Sequence, residues 1–134
     1  MERQPFEIKQ VSEREIWVGE NIFYLGEDNI LYETIVGEAD DEMGNALEEA
    51  TNKRKKKAGR QVDVLVGVNR AGKPSPKTRA RAKKNFEAEG IGKVAMFGMN
   101  PVGRVITSFV MGITRKEDMR LFKTKEEALT WLKE

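Results

Sequence analysis

Cysteine and histidine are both absent from this 134-residue sequence. Without cysteine there is no disulfide, no thiol nucleophile and no thiolate ligand for a metal. Without histidine the commonest general base and transition-metal ligand are missing as well. Ser-His-Asp and Cys-His hydrolysis, zinc hydrolases and facial-triad iron sites are thereby excluded together. Catalysis would fall to carboxylates, Lys, Arg, Tyr or a metal held by oxygens. Glu13, Glu15 and Glu20 lie in or beside predicted strands with no acid/base partner, and Asp40, Asp41 and Glu42 are accounted for as helix-start residues rather than a calcium loop. The expectation is a non-enzymatic protein with no catalytic residue, no metal and no cofactor.

Long apolar runs are lacking too, and none approaches the ~20 residues of a membrane helix. The N-terminus, MERQPFEIKQ, has no apolar core of the signal-peptide kind. A cytoplasmic protein without a membrane span is expected. Length favours one domain, able to bury about two-thirds of its unfolded surface. We place it at residues 13–134, with 1–12 as a loose N-terminal arm.

The net charge of +2 hides an asymmetry: residues 1–49 hold 14 acids against 3 bases, whereas 50–134 hold 8 against 21. Either the basic part meets nucleic acid or the two parts neutralise each other on folding. A single compact domain favours neutralisation.

Patterning gives the architecture. IWV, NIFYL and ILYETIVGE are rich in aromatic and β-branched residues, and GEDN (Gly26–Asn29) is a turn between two of them. In the last run Leu31, Glu33, Ile35 and Gly37 alternate with Ile30, Tyr32, Thr34 and Val36. Asp40 or Asp41 caps a helix to about Lys57 with Met43, Ala46, Leu47 and Ala50 as its apolar stripe, and Gly59 stops it. VDVLVGV (Val62–Val68) reads as a strand buried on both faces. Ser75-Pro76 starts a helix to about Glu89, with serine as cap and proline at its first position. KVAMFGM is a further buried strand, and Asn100-Pro101 starts a helix from Val102 to about Ile113. After a short strand MRLFK, the capping box Thr124–Glu127 opens a last helix containing Ala128, Leu129, Trp131 and Leu132. This predicts an α/β fold: a mixed sheet that begins with an antiparallel hairpin, later parallel strands, and about four helices.

The stretch GVNRAGK (Gly67–Lys73) satisfies the G-x-x-x-x-G-K pattern of a phosphate loop. That loop ends on Ser or Thr, which holds magnesium, and uses backbone N–H groups as a cradle. Pro74 supplies neither hydroxyl nor N–H, and Ser75 one residue later is explained as a helix cap. The nucleotide-site reading fails on chemistry.

The element order, with VDVLVGV…AGKPSPKTRA, IGKVAMFGMNPVGRVI and DMRLFKTKEEALTWL, resembles the SpoIIAA-like branch of STAS domains over residues 21–134. This is the anti-anti-sigma-factor fold, in a superfamily shared with CRAL-TRIO lipid-carrier domains. The resemblance implies a regulatory domain acting through a protein partner. It also implies a phosphorylated Ser or Thr at the start of the helix after the central strand. Ser75 stands there, with Lys73, Lys77 and Thr78 around it, and a phosphate would gain from the helix N–H groups and the lysines. Pro74 and Gly67 stand where the regulatory members carry acids.

Two further features carry alternatives. KRKKK (Lys53–Lys57) and PKTRARAKK (Pro76–Lys84) are basic, but stacking aromatics and nucleic-acid motifs are missing. They read as solvated helix faces, with nonspecific nucleic-acid binding as the alternative. The segment Val102–Ile113 is apolar beyond one inward stripe: Val102, Val105, Ile106, Phe109 and Ile113 suffice, and Val110 widens it. It would serve as an interface with a protein partner or second copy of the chain, or as the wall of a pocket for a small apolar or lipid-like ligand. Arg104 near its start is a candidate anion contact.

Overall fold

A computed structural model describes residues 6–100 and 118–134. Seven strands form one sheet in sequence order: β1 (Ile8–Gln10), β2 (Glu15–Val18), β3 (Asn21–Leu25), β4 (Ile30–Ala39), β5 (Val62–Pro74), β6 (Ile91–Phe97) and β7 (Met119–Phe122). β1 to β4 form an antiparallel meander, and β4 to β7 are parallel. α1 (Asp41–Ala58) joins β4 to β5, α2 (Pro76–Phe86) joins β5 to β6, and α3 (Lys125–Leu132) follows β7. The mixed α/β architecture is the one the patterning predicts, with three helices among the described residues. The fourth, expected from Val102 to about Ile113, lies outside them.

Local chemistry sets the boundaries. Asp40 accepts the Met43 N–H at 2.8 Å, Ser75 that of Thr78 at 3.1 Å and Thr124 that of Glu127 at 3.2 Å. Gly59 closes α1 with its N–H on the Lys55 carbonyl. In the 26–29 turn the Asn29 N–H returns to the Gly26 carbonyl, as expected of GEDN.

Three boundaries differ from the patterning. Residues 8–10, expected in a loose arm, pair with β2, although all three side chains stay exposed. α2 ends at Phe86 rather than near Glu89. β5 does not stop at Val68 but runs to Pro74, because β4 is ten residues long and keeps offering a ladder: Val36 lies opposite Arg70, Gly37 opposite Ala71 and Ala39 opposite Pro74. Tertiary pairing overrides the loop-like composition of NRAGK.

Strand alternation divides the core. Leu31, Val62, Val64, Val66 and Val94 share one cluster, with Ala58 of α1 and Phe86 of α2 packed on it. Ile30, Leu65 and Ala95 point the other way, against Ala128, Trp131 and Leu132 of α3. Right-handed crossovers between successive parallel strands put α1 and α2 on the same side. Beneath the meander, Ala50 with Met43, Ala46 and Leu47 packs on Ile16, Val18 and Phe23, the stripe read from sequence.

Candidate functional site

The starts of α1 and α2 meet at the carboxyl end of β5. The Ser75 N–H donates to the Ala39 carbonyl at 2.8 Å, which brings Ser75 beside Asp40 and Asp41. Ser75 Oγ lies 2.6 Å from Asp41 Oδ1 and 2.9 Å from Thr78 Oγ1. Thr78 Oγ1 lies 2.9 Å from the Asp40 carbonyl. Each hydroxyl has one proton. The shorter, charge-assisted contact takes that of Ser75 to Asp41, and the carbonyl of Asp40 takes that of Thr78. The half-buried serine therefore caps its own helix and is tied to the first turn of α1. Thr78 is buried because Gly44 of α1 admits it: a Cβ at position 44 would collide with the threonine side chain. The result is a polar clasp between two helix starts.

The phosphate-loop pattern has a different explanation here. Gly67 to Pro74 is extended strand, so its N–H groups do not converge on a point. The two glycines of the pattern are packing residues. A Cβ on Gly67 would lie 2.9 Å from the Phe97 ring, and one on Gly72 would lie 2.9 Å from the Glu38 backbone nitrogen.

Beside the clasp, between α1, α2 and the sheet, opens an apolar cleft of about 410 Å³. Val66, Val68 and Met96 form its floor, with Leu47, Ala82 and Phe86 on the helix side. The cleft follows from the sequence of α2. PKTRARAKKNF turns Thr78 and Ala82 toward the sheet where a helix of this kind would usually bring Leu or Ile.

Glu33 lies in this cleft, on the same face of β4 as Leu31, and is only 7% exposed. Thr51 Oγ1 of α1 donates to its Oε2 at 3.2 Å. Among the described residues no donor reaches Oε1. Burial pushes the Glu33 carboxyl up to about 7, only partly offset by the Thr51 hydrogen bond. Arg54, one turn further along α1, is 5% exposed, and neither its Nε nor its Nη1 has a partner among the described residues. Burial lowers its pKa. It forms no ion pair with Glu33, and nothing in the structure explains it.

The residues expected around the phosphorylatable position are only partly assembled. Ser75 and Thr78 touch; Lys77 is exposed on the first turn of α2, and Lys73 lies in β5. Val102, Val105, Ile106, Phe109, Val110, Ile113 and Arg104 lie outside the described residues. Of the basic residues, Arg81 pairs with Glu48 at 3.2 Å, Lys57 with Glu13 at 3.1 Å and Lys133 with Asp28 at 3.8 Å. These pairs join the acidic N-terminal part to the basic remainder. The sequence pattern does not single out Asp41 or Glu33 as site residues. Asp41 gave no signal, since its partner is 34 positions away. Glu33 did give one, an acid on the apolar phase of a strand.

Comparison with known proteins agrees with this architecture. The profile of a family described as a domain of unknown function, DUF7793, matches residues 23–134, and the chain belongs to that family. No curated protein matches by sequence. Among solved structures, an uncharacterized DUF3478-family protein with a SpoIIAA-like fold from Shewanella loihica superposes with a TM-score of 0.63 at 17% identity, over 98% of each chain. The anti-sigma factor antagonist SpoIIAA in its unphosphorylated form superposes with a TM-score of 0.57 at 13% identity, covering 96% of this chain and 97% of that one. The phosphorylated form of the Bacillus cell fate determinant SpoIIAA gives 0.51 at 14%, covering 95% and 98%. The chain therefore has the SpoIIAA-like, STAS-type fold.

Proposed function

We propose that this chain is a regulatory domain of STAS type that binds a protein partner across the paired starts of α1 and α2, with Ser75 as its phosphorylatable switch. It works by docking rather than by catalysis. The observation that carries this reading is the Ser75 Oγ–Asp41 Oδ1 contact at 2.6 Å. The Ser75 hydroxyl holds two helix starts together, so its modification would be felt by both. An acid stands against the serine in space, although the acids of the regulatory pattern are missing from its flanking sequence.

Phosphate on Ser75 removes the proton that Asp41 accepts and adds about two negative charges beside that carboxylate. The N–H groups at the start of α2 and the exposed Lys77 favour the phosphate, while Asp41 repels it. The outcome is a parting of the clasp at the α1 side, which changes the surface a partner meets. The test compares Ser75→Asp with Ser75→Ala in pull-downs from the native cell, alongside hydrogen exchange at residues 41–44 and 76–79. Ser75→Asp should lose a partner that Ser75→Ala retains and should speed exchange at the start of α1. Identical partners and identical exchange would overturn the reading.

A further inference from the structure

The cleft beneath α2 is not needed by the switch just described, and its chemistry is specific. We propose that it binds a small uncharged amphiphile, an alcohol in class, whose apolar body lies on Val66, Val68 and Met96 and whose hydroxyl meets Oε1 of Glu33.

Three observations lead there. A cleft of about 410 Å³ with apolar walls lies within the usual range for small-ligand sites. Such a void left dry forfeits dispersion contacts over its whole lining, so a ligand that fills it is favoured by contact alone. Within it lies one polar side chain that is more than nine-tenths buried: Glu33, with Oε2 bonded to Thr51 and Oε1 meeting no donor among the described residues. Oε1 is therefore the carboxyl oxygen left free for a donor from a ligand in the cleft that Glu33 lines.

The charges nearby select the head group. Of the cations of α2 that line the cleft, Arg81 is paired with Glu48, itself a lining residue, and Lys83 with Glu87, so the charge set against an entering ammonium is mainly that of Arg79. The Glu33 carboxyl disfavours a ligand carboxylate seated against it. A hydroxyl suits both protonation states of a carboxyl that titrates near neutrality: it donates to the ionised form and accepts from the protonated one. Alcohols fit where amines and acids do not.

The test titrates the full chain with decanol, decylamine and decanoate at neutral pH, three probes that share a tail and differ in the head. Decanol should bind about tenfold more tightly than either of the others. Ala82→Leu, which fills the cleft from α2, should weaken decanol at least about tenfold while circular dichroism reports an unchanged fold. Glu33→Leu, which removes the acceptor, should erase the preference for decanol over decylamine and decanoate. Failure of all three probes to bind the parent protein means that the cleft is closed by the chain itself, and overturns the proposal. So does a charged probe that equals decanol, or an Ala82→Leu variant with undiminished decanol affinity.

Discussion

The two faces of the sheet are covered in opposite ways. On one, α3 brings Ala128, Trp131 and Leu132 down onto Ile30, Leu65 and Ala95 in one buried cluster. On the other, among the described residues, Thr78 and Ala82 of α2 line, with Val66, Val68 and Met96, a cleft of about 410 Å³ that has an acid in it. Strand alternation supplies an apolar floor to both faces. The helices differ. On α3 the inward side chains include the large Trp131 and Leu132, whereas on α2 the small Thr78 and Ala82 precede the one large residue, Phe86.

The largest way to break that contrast is to open the packed face. Trp131 is 8% exposed, packs in a tilted arrangement on Phe122 at 5.6 Å between ring centres, and lies beneath Lys93 and Arg120. Trp131→Ala should cost about 3–5 kcal/mol in denaturant unfolding, the range for a large aromatic removed from a core. A loss below about 1 kcal/mol would mean that this face is no better packed than the other.

The next test uses the acid on the open face. The folded Glu33 carboxyl titrates at about 7 against a reference of 4.5, so the folded state prefers the protonated form. Its stabilising share is complete below about pH 4.5 and is lost as pH rises through 7. A shift of this size corresponds to roughly 3 kcal/mol. Glu33→Gln removes the titration and keeps the shape. Measured as the difference between the two proteins, the parent should lose roughly that amount relative to Glu33→Gln between pH 4.5 and 8. Parallel stability curves would show that the carboxyl is hydrated rather than buried.

The packed face was the more legible of the two from sequence, for a physical reason. Thr124, Glu127, Ala128, Trp131 and Leu132 announce a capped amphipathic helix through interactions only three or four residues long, and the structure keeps every part of it. The caps at Asp40 and Ser75 were legible on the same ground. The clasp was not, because Ser75 to Asp41 is a contact across a whole βα unit and depends on β5 running on to Pro74. That run depends on the length of β4, not on the composition of NRAGK. Glu33 stood out as an acid on the apolar phase between Leu31 and Ile35. Its significance needed Thr51, eighteen residues away, and the shortness of Ala82 in a different helix.

One substitution made twice sharpens the contrast most directly. Ala128 of α3 is fully buried against the sheet, whereas Ala82 of α2 borders the cleft. Ala128→Leu forces three extra carbons into a packed layer and should destabilise by about 1–3 kcal/mol, the usual penalty for overpacking. Ala82→Leu places the same carbons in open apolar space and should stabilise by about 1 kcal/mol, as cavity-filling changes do. Thermal unfolding of both variants at one pH compares the signs with side-chain chemistry and helical context held constant. Opposite signs follow only if the space differs. If Ala82→Leu also destabilises, the residues under α2 are already in contact, and that face is as full as its counterpart.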